Sequence, residues 1–359
     1  MTAETQNWDW IDAHLHAESH MPLAVLDSID AMERRNGYAG WAFASLAGSR
    51  DPTQNAIALY LKWRFPNAYA LAGFDYQTDY GPGSTPAGEI LELIEIGCDG
   101  VKCIEQKPTT RIRLGLSPLD PIFDEALTAL EARDIPVLMH VGDPPTFWDP
   151  ERVPDWARAN GWFYAEGDFV DLEELYAEHA EMLARHPGLR VLFAHFFFMS
   201  PCPDRLADWL RRFPNMNVDV TSGSEMYYDF SRDPAFWRGF MREHSGRIIY
   251  GTDSVPAARS DSLPGDAINR MQREMLSRTG PVLYDGDVLE GIGLDSGTLR
   301  AITRENAMRF LGAKPKPVDR ERAVAWLDRL LIHAKTVNRE LVTAIRRKIA
   351  AGESAAAAE

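Results

Sequence analysis

Cysteine is scarce: Cys98, Cys103 and Cys202 are the only three in a chain of 359 residues. An odd number without framework spacing excludes a disulfide scaffold and suits a reducing compartment. Positive charge is also in deficit, leaving a formal net charge of −15. Nucleic acid and anionic membrane surfaces both require clustered positive charge, so neither is expected as a partner. A small-molecule substrate stays open, because the charge inside a pocket need not follow the global sign. No apolar run approaches the roughly 20 residues that cross a bilayer. Met1-Thr2-Ala3-Glu4-Thr5 offers neither the basic nor the apolar segment of a signal peptide. A soluble cytoplasmic protein is the resulting expectation.

What the chain has is an alternation. Short apolar runs at residues 10–16, 38–43, 68–74, 100–104, 135–140, 190–195, 216–221 and 247–253 read as strands, each followed by a helical segment. Strands alternating with helices imply parallel pairing through right-handed crossovers. Eight such units within about 250 residues predict an α/β fold, the (β/α)8 or TIM barrel. An open doubly wound sheet is the competing architecture, and it rarely needs eight successive units. Residues 1–313 are assigned to the barrel, including a tight hairpin around Asp285-Gly286. Residues 314–359 form a long C-terminal helical extension, with Ala323, Trp326, Leu327, Leu330, Leu341 and Ile345 at helical spacing. That stripe either folds back on the barrel wall or makes a subunit contact, so a homodimer through it is one expectation. Residues 352–359 read as a frayed end.

In a closed parallel barrel the C-terminal strand ends open onto one face, where active sites lie. His14 and His16 end the first expected strand and, two apart, project from the same side. His140 ends the fifth, His195 the sixth and Asp253 the eighth. Taken singly, His140 or His195 reads as a hydrogen-bonded core histidine. Independent structural histidines, however, have no reason to choose the same end of three strands. Three imidazoles and one carboxylate suit Zn2+, and also Mn2+, Fe2+ or Co2+. An open coordination position would hold a water acidified toward neutrality. The remaining histidine is then free for proton transfer or for orienting substrate oxygen.

His14-Leu15-His16, His140, His195 and Gly251-Thr252-Asp253, in this order at strand ends, resemble the amidohydrolase superfamily. Gly100-Val101-Lys102, the run 135–140, Arg185-His186-Pro187 and the run 306–312 are similar to its "amidohydrolase 2" branch, over residues 10–312. That branch includes aminocarboxymuconate-semialdehyde decarboxylase, related aromatic-acid decarboxylases and lactonases. The resemblance implies one mononuclear metal held by His14, His16, His140 and Asp253, directly or through water. It places His195 beside the metal-bound water as acid, base or polariser, and gives Asp253 a second role as proton acceptor. Binuclear members of the superfamily use a carbamylated lysine from strand four, where Lys102 lies. Pairing with an acid such as Glu105, or a reach toward substrate, is the plainer reading of Lys102. Asp219 reads as a supporting or structural carboxylate.

Hydrolysis and non-oxidative decarboxylation share this constellation. The decarboxylases often begin with Glu-X-His and carry a His-Gly-Gly-like turn at strand six, whereas here Phe196-Phe197-Phe198-Met199 follows His195. The resulting expectation is a metal-dependent hydrolase of a small ester, lactone or amide. The alternative is decarboxylation of a small unsaturated or aromatic acid, and a metal-binding scaffold without activity is the reading outside enzymology. Trp148, Trp162, Phe196, Phe197 and Tyr227 would wall the pocket or anchor its loops. Arg111, Arg113 and Arg259 are candidates to pair with a substrate carboxylate.

Overall fold

All eight expected strands are present in the computed structural model, which describes residues 9–221, 224–255 and 265–352. They are β1 (Trp10–Leu15), β2 (Tyr38–Ala44), β3 (Ala68–Gly73), β4 (Gly100–Gln106), β5 (Val137–Val141), β6 (Val191–Phe193), β7 (Met216–Asp219) and β8 (Ile248–Ile249). Each pairs in parallel with its successor, and the sheet order is the chain order. The ring is completed beyond β8 by Ala13 N to Tyr250 O (3.1 Å), Asp253 N to His14 O (2.8 Å) and His16 N to Ser254 O (2.9 Å). This is a (β/α)8 barrel.

Local chemistry starts the helices where the barrel needs them. Thr85, Asp120 and Asp171 each cap the helix that follows, over Pro86–Ile96, Pro121–Ala132 and Leu172–Arg185. Their side-chain oxygens accept from backbone amides that have no partner within the helix. The apolar faces of these helices meet outward strand residues such as Trp41, Phe43, Val101 and Phe193 in the large shell between sheet and helices.

Alternate strand residues point inward and form a smaller core of their own. At the N-terminal end it is filled by Ile11 and Tyr69, with Phe310 and Leu311 of the helix Asn306–Leu311. Toward the other end its members shrink to Ala13, Ala44 and Ala194. These small residues leave the space that the polar cluster occupies. The register of β1 slips between Asp12 and Leu15. In consequence Ala13 belongs to the inner core and Leu15 to the outer shell, instead of sharing one face.

The last strands are shorter than their apolar runs. β6 stops at Phe193 and β8 at Ile249, so His195 and Asp253 sit on the connections after the strands. Both have left-handed backbone, φ 57° and 54° respectively, which a strand cannot contain. The expected hairpin is β9 (Thr279–Tyr284) paired antiparallel with β10 (Asp287–Ile292). The C-terminal extension is two helices, Arg320–His333 and Arg339–Ala351, the second capped by Asn338. Ala323, Trp326, Leu327, Leu330, Leu341 and Ile345 are buried in the same shell that covers the barrel. The stripe therefore folds back on the wall. Residues 353–359 and Arg259 lie outside the described residues.

Candidate metal centre

Hydrogen bonds assign the tautomers of the two histidines on β1. Nδ1 of His14 lies 3.0 Å from Oδ2 of the buried Asp219, and Nδ1 of His16 lies 2.6 Å from the carbonyl of Ala44. Neither partner can donate, so each imidazole places its proton on Nδ1 and, when neutral, bares Nε2. The two Nε2 atoms are 3.1 Å apart. Oδ1 of Asp253 is 2.9 Å from Nε2 of His16 and 3.5 Å from Nε2 of His14. Two lone pairs and a carboxylate oxygen thus face one another with no proton assigned between the rings, and the donor at hand is Nζ of Lys102, 2.9 Å from Nε2 of His14. A cation resolves that arrangement, and the N, N, O donor set suits a borderline divalent ion.

The surroundings hold these donors in the metal-ready form. Burial, then the charge of Lys102, keeps the His14 pKa well below its ordinary value and the ring neutral. Burial opposes ionisation of Asp253, but the surrounding imidazoles of His14, His16 and His195 prevail and hold its pKa well below the usual carboxylate range. Asp12, unremarked in the sequence, ties the two sides of the site together. It accepts from the backbone of His14 and Thr252 and from the Thr252 hydroxyl. Gly251 allows that approach: a Cβ there would come within 2.8 Å of His14 Cβ and 2.7 Å of Thr221 Cγ2.

Asp219 serves two histidines. Its Oδ1 accepts from His195 N (2.7 Å), from Thr221 N (3.1 Å) and from the Thr221 hydroxyl, while Oδ2 orients His14. With its proton given to Asp219, Thr221 Oγ1 can only accept from Nδ1 of His195, 3.2 Å away. This leaves Nε2 of His195 bare, 4.0 Å from Oδ2 of Asp253. Burial lowers the His195 pKa to about 4.

The backbone presenting His195 is unusual. His195, Phe196, Phe197 and Phe198 all have φ between 52° and 57°, a left-handed turn of four residues without glycine. Such backbone costs roughly 1–2 kcal/mol per residue. Aromatic burial offsets it. Phe196 packs among Phe230, Trp237 and Phe240, and Phe197 stacks on Phe193 at 4.1 Å. Phe198 lies parallel to the His195 ring at 5.2 Å.

Two cavities meet at Lys107, His140, Trp162 and Asp253. One, of about 640 Å³, carries Arg50, Lys102 and Arg113. The other, of about 300 Å³, is walled by Phe147, Trp156, Phe198 and Tyr284 and carries Asp143 and Glu225.

The family model for amidohydrolases matches residues 11–313. The chain belongs to the amidohydrolase family. No curated protein matches it. A putative amidohydrolase from Staphylococcus aureus is 12% identical over 84% of this chain and 99% of its own, with a TM-score of 0.54. Metarhizium anisopliae IDCase in its apo form is 15% identical over 84% and 96%, with a TM-score of 0.52. At these identities the likeness extends to the fold.

Within this amidohydrolase, the structure gathers His14, His16 and Asp253 into one group of donors, with His195 beside it. His140 stands next to His195, ring centroids 4.9 Å apart, but outside that group. Its Nε2 is 3.0 Å from the Gly142 carbonyl and 3.4 Å from Asp143. Lys102 is buried with Nζ 2.9 Å from Nε2 of His14, while Glu105, three positions on, makes no hydrogen bond or ion pair with it. Trp148, Phe196 and Tyr227 line neither cavity. Trp148 donates to Val170 O and Tyr227 to Val220 O as loop anchors, and the left-handed turn sends Phe196 to the helix layer. Phe198 faces the cavity instead. Arg111 is consumed by Glu178 and Gln106, whereas Arg113 lines the wider cavity and, among the described residues, donates only to Gly48 O. The sequence reading expects residues 222–228 on the pocket wall but does not single out Glu225, which lines the narrower cavity from the first turn of its helix.

Proposed function

We propose that the chain is a metal-dependent hydrolase acting on a small ester, lactone or amide. His14, His16 and Asp253 would hold one divalent cation, with zinc the best match to the donor set. Such a cation supplies Lewis acidity, bringing water toward its ionised form at neutral pH and polarising a carbonyl. The chain's own contribution is proton handling and orientation. His195 presents an unprotonated Nε2 toward Asp253, so its resting form takes a proton and has none to give. Hydrolysis begins with proton removal from water, whereas decarboxylation requires proton delivery to carbon. The bare Nε2 of His195 is the observation that carries this choice. Lys102 and Arg113, beside the Arg50–Glu18 ion pair, make the wider cavity cationic within an acidic protein, which supports an anionic group on the substrate.

The test is metal analysis of the purified full-length chain, followed by a panel of lactones, amides, esters and aromatic or enoic acids. Proton release on ester or lactone cleavage, abolished by a chelator and restored by zinc, is the expected result. Evolution of CO2 from an acid with no cleavage of any ester, lactone or amide would overturn it.

A further inference from the structure

The narrower cavity holds a carboxyl that neither the metal group nor the proposed proton transfers use. Glu225 lines it from the first turn of the helix Ser224–Arg232. Among the described residues no cation, hydroxyl or amide side chain pairs with Glu225, and the charges that act on it, Asp143 and Asp229, are both negative. Asp143, by contrast, is spoken for: Lys107 binds it at 2.6 Å and the Tyr164 hydroxyl donates to it at 2.6 Å. Around this carboxyl stand the rings of Phe147, Trp156, Phe198 and Tyr284. Trp156, which packs on Phe147 and Trp162, is 49% exposed and so leaves part of its ring open. Ring faces attract cations through their quadrupole, and a half-buried carboxylate without a counter-ion does so through its charge.

We propose that this cavity is a subsite for a cationic nitrogen of the substrate, quaternary or protonated, with Glu225 as its counter-ion. The proposal rests on the hydrolase reading only in placing the subsite beside the reacting bond. The amidohydrolase would then accept an elongated molecule, its anionic end toward Arg113 and its cationic end between the rings. Glu225 is a specificity-determining residue in this scheme, and no bond is made or broken at it.

The experiment is calorimetric titration of the full-length, zinc-loaded chain with choline and with 3,3-dimethylbutan-1-ol, its neutral isostere. Neither probe has a nitrogen lone pair to offer the metal. Choline is expected to bind at least tenfold more tightly, in line with a desolvated cation–π and ion-pair contact. Glu225→Gln, which keeps the shape, should bring the two affinities within about twofold while leaving that of the alcohol unchanged. Glu225→Asp should retain part of the preference and so rescue the variant, which a merely structural role would not do. Equal affinity for the two probes in the parent, binding of neither, or an unaltered preference in Glu225→Gln would each overturn the proposal. Because the readout is binding, a chain that hydrolyses nothing yet prefers choline would sink the hydrolase reading and leave this one standing.

Discussion

Replacing Asp219 by asparagine tests the tautomer argument at its source. Oδ1 of Asp219 takes three donors, from His195 N, Thr221 N and the Thr221 hydroxyl. The asparagine oxygen must therefore occupy that position, which turns the amide NH2 toward Nδ1 of His14, where Oδ2 now lies at 3.0 Å. Two donors cannot face each other, so the imidazole proton moves to Nε2, the atom that should be bare for the cation. Loss of a supporting carboxylate of this kind typically lowers metal affinity by about 10–100-fold, or roughly 1.4–2.8 kcal/mol. The assay is zinc titration against a competing chelator at pH 7.5, with circular dichroism of the metal-free protein as a control on folding. A variant that folds normally and binds zinc as tightly as the parent would refute the assignment of His14.

Three further outcomes follow from the same geometry. Gly251→Ala inserts a Cβ against His14 and Thr221, and overpacking of this kind costs about 1–3 kcal/mol; urea denaturation should show that loss together with weaker zinc binding, and an unchanged midpoint would contradict the close approach. Phe197→Ala removes the stacked ring while keeping the left-handed backbone, so a loss of about 3–5 kcal/mol is expected. A loss below ~1 kcal/mol would mean that the ring does not hold the turn. Burial pushes the Glu105 carboxyl up to about 7, outweighing the opposing pull of nearby backbone amides, of Lys102 and of the Tyr76 hydroxyl. The folded state then binds more protons than the unfolded chain between about pH 4.5 and 7, so this group lowers stability as pH rises through that window. Glu105→Gln should gain of order 3 kcal/mol on the parent at pH 8 and little at pH 4.5, as read by denaturation at the two pH values. Equal differences at both would place the carboxyl in a solvated setting.

The barrel and the convergence of His14, His16 and Asp253 were legible because they rest on periodicity, whereas the expected place of His140 among them was not met. Period-two burial marks strands, and polar residues at the ends of apolar runs mark the catalytic face whatever the loops do. The finer placement was not legible because it rests on backbone that residue type does not announce. Phenylalanines after strand six read as pocket wall or loop anchor, and glycine is what local rules expect where φ is positive. Tertiary packing of Phe196 and Phe197 overrides that rule, reverses which ring meets the cavity and shortens β6. Asp12 and Glu225 escaped notice for a related reason, since each acts through partners far along the chain or across a cavity.

Two of the three bonds that close the ring are made by His14, His16, Asp253 and Ser254, and the third joins Ala13 to Tyr250. The cylinder is zipped shut by the same residues that offer donor atoms. Loading an ion at these donors and sealing the joint would then be one equilibrium, since any parting of the two edges carries Asp253 away from the imidazoles. Amide hydrogens at His16 and Asp253 should exchange more slowly with solvent in the loaded protein, while those deep in β3 and β4 stay as they are. An inhibitor that wedges this joint apart would disarm the enzyme without ever entering its pocket.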